Sequence, residues 1–147
     1  MPLQDVRQSL ERHAFSRDFI FPGDLTSMVA ARDAVMDFLH DHCSCAEVET
    51  DILIALQEAL ANAVLHGCKS DPGKIIQCSV TVDASAIAVV IRDPGRGFNV
   101  ALPTSHCAAN LSGHGRGIRL MRGLMDEVTY RRGGSEVQMK KLRDHPD

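Results

Sequence analysis

Two stretches of strict alternation stand back to back in this chain. Ile76, Cys78, Val80 and Val82 take every second position, and after Asp83-Ala-Ser85 so do Ile87, Val89 and Ile91. Apolar residues at period two line one face of a strand, and so short a turn makes the second strand run back beside the first. Asp71-Pro-Gly73 supplies the turn that leads in. A chain with this hairpin at its centre builds a sheet from antiparallel neighbours. A doubly wound parallel sheet needs a helix after nearly every strand.

The flanking segments fit that sheet. Arg17 to Phe21 alternates and predicts a first strand, ended by Pro22-Gly23. Asp24 can then cap a helix in which Leu25, Met28, Val29, Val35, Met36 and Leu39 fall on one side. The cluster around residues 40–45 breaks it. A second helix is predicted from Glu47 to Leu65, with Val48, Ile52, Ala55, Leu56, Ala59, Leu60 and Ala63 inward and Gly67 just past its end. A short helix over 117–125 follows. Glu127 to Arg132 and Ser135 to Leu142 then read as a closing hairpin. The fold class expected is α+β, a two-layer α/β sandwich whose mostly antiparallel (mixed) sheet carries helices on one face. Residues 15–142 form the single domain, 1–14 an N-terminal arm and 143–147 a tail.

Composition removes several functions. The 147 residues carry 16 basic and 19 acidic side chains, a net charge of −3. That gives no footprint for direct nucleic-acid or anionic-membrane binding. With no Trp and one Tyr there is little for bases to stack on. No apolar run reaches the roughly 18 residues of a membrane span, and Met1-Pro-Leu-Gln-Asp-Val-Arg does not resemble a signal peptide. The five Cys (Cys43, Cys45, Cys68, Cys78, Cys107) are irregularly spaced, as reduced thiols in a cytoplasmic protein would be. His40-Asp-His42-Cys43-Ser-Cys45 has no second ligand pair at zinc spacing.

Chemistry concentrates in three segments. In Glu58-Ala-Leu-Ala-Asn62-Ala-Val-Leu-His66-Gly67, Glu58, Asn62 and His66 recur every four residues on one helix face, among small Ala neighbours that let a ligand approach. An Asn oxygen suits Mg2+ that keeps most of its waters, and a Glu one turn earlier suits a general base. Asp93 ends the strand Ile87 to Arg92, and Pro94, Gly95 and Gly97 turn the backbone sharply, placing a carboxylate where a purine amine can donate to it. Gly113, Gly115 and Gly117 open a helix, the place where N–H groups and a positive dipole end meet phosphate. A solvated stripe, a plain β-turn and a flexible loop are the ordinary fates of the three taken singly.

Taken in order, the segments resemble the N, G1 and G2 boxes of the ATPase/kinase superfamily shared by gyrase, heat-shock chaperones and sensor histidine kinases. The chain is most similar to the anti-sigma-factor serine/threonine protein kinases of bacterial partner switching. The likeness is carried by E-A-L-A-N-A-V-L-H-G, R-D-P-G-R-G-F, and G-R-G-I-R-L-M followed by Leu124-Met125-Asp126-Glu127-Val128. It extends to Gly134-Ser-Glu-Val-Gln-Met-Lys140 and covers about residues 15–142. It implies a Bergerat-type ATP-binding fold, Mg-ATP, and phosphorylation of a serine or threonine on an anti-anti-sigma (STAS-type) partner. It also implies capture of a sigma factor and a homodimer. By the same resemblance Glu58 is the catalytic base and Asn62 holds Mg2+. His66 joins the nucleotide-binding set and Asp93 takes the adenine amine, with Gly95 and Gly97 shaping its pocket. Gly113, Gly115 and Gly117 cradle phosphates, and residues 99–112 form a lid. Arg116 and Arg119 are the nearest candidates to neutralise phosphate charge, with a solvated helix position the ordinary alternative for Arg119. A sensor kinase's dimerisation helix is missing. A nucleotide-gated module that sequesters a sigma factor without transferring phosphate remains the alternative.

Overall fold

The computed structural model describes residues 14–43, 45–96 and 117–143, and the backbone of 114–116. The elements run β1 (Phe15–Pro22), α1 (Leu25–His42), α2 (Ala46–Asn62), a π-helical turn (Ala63–Gly67), β2 (Ile75–Val82), β3 (Ala86–Arg92), α3 (His114–Leu124), β4 (Glu127–Arg131), a 3-10 turn (Arg132–Gly134) and β5 (Glu136–Leu142). The strands form one sheet in the order β1-β2-β3-β5-β4, every pairing antiparallel. The expected α+β class holds.

The register lays Phe19, Cys78, Ile91, Val137 and Tyr130 side by side across all five strands. A second row, Arg17, Val80, Val89, Met139 and Val128, lies two residues along. From these rows Cys78, Val80, Val89, Ile91, Val137 and Met139 are buried under the helices, as the alternation requires. The opposite face is polar. There Ser79 donates to Asp18, Arg92 grips buried Glu136 through Nε at 2.7 Å and through its second nitrogen, and Lys140 stands 3.7 Å from Glu127. An antiparallel sheet with one face on the core and one facing water is the usual result of such patterning.

Asp24 caps α1 as expected, its Oδ1 accepting from the Ser27 N–H at 2.9 Å. The hydrogen bonds from Ser27 hold its carboxyl below the usual range. The buried side of α1 differs from the expected stripe. Ala31, Val35, Phe38 and Leu39 face the core, whereas Leu25 and Val29 are exposed. At roughly 100° per residue, Leu25 and Val29 lie well off the Ala31–Val35–Phe38 line. The helix ends at His42, inside the cluster around residues 40–45 expected to break it. There the His42 ring stacks on Phe15 at 4.2 Å and tilts against Phe38 at 4.7 Å, while His40 meets Glu49 at 2.9 Å. Those side chains serve packing of α1 on β1 and α2. Among the described residues no group of three His, Cys, Asp or Glu is placed to hold a metal ion, and no helix is long and apolar enough to cross a membrane.

In α2 the inward residues Ile52, Ala55, Leu56, Ala59 and Leu60 are all buried, each large one contributing about 1.5–3 kcal/mol. α3 lies against α2 with Met121 and Met125 buried. Its C-terminal end is tied down by Lys141 of β5, which donates to the Leu124 carbonyl at 2.6 Å and pairs with Asp51 of α2 at 3.0 Å. A cation on the last carbonyls of a helix satisfies acceptors that have no partner within the helix. Lys141→Met keeps the stem and removes the ammonium. It is expected to lower the unfolding free energy by about 1–2 kcal/mol, read from urea denaturation. An unchanged midpoint would show that this tie does not hold α3.

Candidate active site

α2 does not end as an α-helix. From Ala63 to Gly67 it widens into a π turn, in which the Cys68 N–H donates to the Ala63 carbonyl five residues back at 2.8 Å. Lys69 and Ser70 follow with positive φ of 51° and 57°, a conformation non-glycine residues rarely adopt. The expected single helix to Leu65 is therefore corrected. Glu58 and Asn62 share an α-helical face, while His66 falls within the π turn.

The widened turn brings Gly67 against the end of β3. Asp93 is the first residue past that strand, and its N–H donates to the Ser135 carbonyl at 2.9 Å, extending the β3–β5 ladder by one pair. Its Oδ1 accepts the Gly95 N–H at 2.8 Å. A Cβ on Gly67 would lie 2.2 Å from the Asp93 carboxyl carbon, and one on Gly95 would lie 2.8 Å from both Asp93 Oδ1 and the Gly67 Cα. Only two glycines let carboxylate and backbone approach this closely. Burial pushes the Asp93 carboxyl up from its ordinary value, opposed by the Gly95 hydrogen bond. Behind it, burial and then the Asp93 charge push up the Cys68 thiol.

A cleft of about 400 Å³, part of it open to solvent, joins these parts. Asn62, His66, Gly67 and Asp93 line it, along with Tyr130 and Ser135. Ile91 and Val137, neighbours in the sheet, form apolar wall. Burial pushes the Tyr130 hydroxyl up to about 12. At the far end the Asn62 amide nitrogen is buried without a hydrogen-bond partner among the described residues. Beside it a Cβ on Gly117 would lie 2.8 Å from Glu58 Oε2 and 3.7 Å from that nitrogen. An orphaned buried amide is costly unless something else completes it.

The structure thus gathers Asn62, His66 and Asp93 around one cleft, with Gly95 under Asp93 and Glu58 beside Asn62. Gly117 stands against the Glu58 carboxylate. Arg119 is exposed on α3. Gly115 lies within α3, which starts at His114 and so three residues earlier than expected; the Arg116 side chain, Gly97, Gly113 and residues 99–112 fall outside the described residues. Sequence reasoning took Gly67 only as a helix stop and missed Ser135 and Tyr130 as cleft residues. Those two come from register across the sheet, for which no local signal exists.

A five-stranded antiparallel sheet backed by helices, with the cleft between one helix and the sheet's end, defines a class of α+β sandwich. The chain belongs to the histidine kinase-like ATPase domain family, whose model matches residues 21–141. It is 29% identical over 124 residues to the anti-sigma F factor of Geobacillus sp. (strain WCH70), covering 80% of this chain and 78% of that one. To the anti-sigma F factor of Bacillus cytotoxicus it is 32% identical over 102 residues, 67% and 70% of the two chains. Its fold is similar to that of the RsbU and RsbW domains of a Mycobacterium tuberculosis protein, with TM-score 0.57, 15% identity and 88% of this chain covered, though only 32% of that longer one. It is also similar to a chain in the SiaB-SiaC complex from Pseudomonas aeruginosa, with TM-score 0.55, 11% identity and 96% of both covered.

Proposed function

We propose that this chain is an anti-sigma factor that binds Mg-ATP and phosphorylates a serine or threonine on an anti-anti-sigma (STAS-type) partner in bacterial partner switching. The observation that carries it is the cleft's two dissimilar ends. One presents the half-buried Asp93 acceptor between glycines; the other presents the Asn62 side chain, whose amide nitrogen has no partner among the described residues, next to a carboxylate. About nine residues of helix, roughly 13 Å, separate Gly67 from Glu58, enough to seat a base at one end and a phosphate chain at the other.

These residues fit the nucleotide and its ion. Asp93 accepts from the adenine amine, while Gly67 and Gly95 let the ring approach. Asn62 would hold Mg2+ through its side-chain oxygen, a hard donor of the kind this cation takes, and the ion bound there would neutralise charge on the phosphates. Glu58 takes the proton as the partner's hydroxyl oxygen bonds to the γ-phosphorus and the bond to the β-γ bridging oxygen breaks, leaving ADP. The curated relatives' names support the anti-sigma part of this reading. Capture of a sigma factor, a homodimer and a cytoplasmic location go with it.

The test is incubation of the protein with γ-labelled ATP, Mg2+ and each anti-anti-sigma protein encoded in the same genome. Label should reach a Ser or Thr of one partner, and sedimentation should give the mass of a dimer. A protein that binds ATP and captures a sigma factor but labels no partner is a nucleotide-gated binding module, and the kinase assignment then fails.

A further inference from the structure

We propose that Gly117 is a positioning residue for Glu58: the bare backbone of α3 at this point is the seat on which the Glu58 carboxylate rests beside Asn62. The proposal rests on the reading of Glu58 as the base. It departs from the expectation that Gly117 serves phosphate binding.

The geometry is specific. A Cβ at Gly117 would come within 2.8 Å of Glu58 Oε2 and 3.7 Å of the Asn62 amide nitrogen, so a single methyl group would touch both. Real side chains essentially never approach to less than 3.0 Å, so something must give. α3 is held in place. Met121 and Met125 are buried in the core, and Lys141 fastens the Leu124 carbonyl to α2 through Asp51. The Glu58 side chain is a flexible arm whose tip is the atom in contact. The carboxylate must therefore swing away while the helices stay. Gly123, two turns on in the same helix, supplies the contrast, since a Cβ there would meet nothing within 4 Å. Glycine is a poor helix residue; at Gly123 no contact requires it, whereas at Gly117 the Glu58 carboxylate occupies the space.

Four variants of the full chain test this: Gly117→Ala, Glu58→Asp, the double variant, and Gly123→Ala as control. Both alanine variants should raise the melting temperature or leave it unchanged, because alanine favours helix. Gly123→Ala should transfer phosphate at the parent rate. Gly117→Ala should bind Mg-ATP within about threefold of the parent yet lose about 10²-fold in transfer, the scale of a roughly 1 Å misplacement. The Asn62 side-chain amide cross-peak in an ¹⁵N spectrum should move further in Gly117→Ala than in the double variant, where the methyl still touches the amide but no longer displaces the shorter acid. The double variant should also transfer faster than the product of the single losses predicts. Parent-rate transfer by Gly117→Ala overturns the proposal, as do additive losses. A loss confined to Mg-ATP affinity would make Gly117 a phosphate-binding residue and overturn it too. If the parent protein labels no partner, the kinase reading fails separately and the amide cross-peak decides: a larger shift in Gly117→Ala than in the double variant supports the seat, equal shifts overturn it.

Discussion

Glu58→Gln is expected to leave the protein folded and able to bind Mg-ATP while slowing phosphoryl transfer by about 10²–10⁴-fold, the usual worth of a placed general base. The substitution keeps the shape of the side chain and its contact with Gly117, and removes only the ability to take a proton. Asn62→Ala should behave differently. The Asn62 amide nitrogen is buried without a partner among the described residues, so losing its hydrogen bonding there costs little. Losing the side-chain oxygen should weaken Mg2+-dependent ATP binding and transfer together. Calorimetry with and without Mg2+, set beside label transfer, separates the two. Transfer at the parent rate by Glu58→Gln would remove Glu58 from the role of base.

Asp93→Asn should weaken ATP by about 10–10²-fold, the loss of one desolvated hydrogen bond to a charged group, roughly 1.5–3 kcal/mol. The Asn oxygen can still accept the Gly95 N–H, which leaves the amide NH2 facing the adenine amine, donor against donor. Guanine offers a carbonyl at that position, so the parent should discriminate against GTP and the variant should discriminate less. GTP bound by the parent as tightly as ATP would overturn the assignment of Asp93. The same change has a pH signature in the free protein. Burial raises the Asp93 carboxyl above its unfolded value of 3.8. Its contribution to stability is then fully present below that value and lost as pH rises through the folded one. Asp93→Asn should therefore melt higher than the parent at neutral pH, with the difference vanishing below pH 3.8. A difference independent of pH would place the effect elsewhere than in ionisation.

Glu58, Asn62 and Asp93 were legible in the sequence because each depends on local geometry. Four residues of helix put the first two on one face, and a strand followed by Pro-Gly puts the third at a strand end. The hairpin of β2 and β3 was legible for the same reason, since alternation is a property of neighbours. Leu25 and Val29 misled because their spacing fits a helix face, and only contact with the sheet decides which face is covered. Ser135 is far from Asp93 along the chain yet pairs with it at the end of the β3–β5 ladder. Tyr130 reaches the cleft through its pairing with Val137. Both places are set by β5 lying between β3 and β4, an order that periodicity does not encode. Gly67 was visible as a glycine but not as the neighbour of Asp93, because the π turn that moves it leaves no mark in the hydrophobic pattern.

That turn also makes the chain intolerant of an added residue between α2 and β2. Between Ala63 and Gly67 the backbone holds one residue more than a regular helix would over the same path. Deleting any one of the five would let the standard ladder close and would improve the helix as a helix. Adding one would instead rotate everything beyond by roughly 100°, turning Gly67 away and presenting a side chain to the Asp93 carboxylate. Substitution can tune this cleft, but insertion within those five positions would dismantle it.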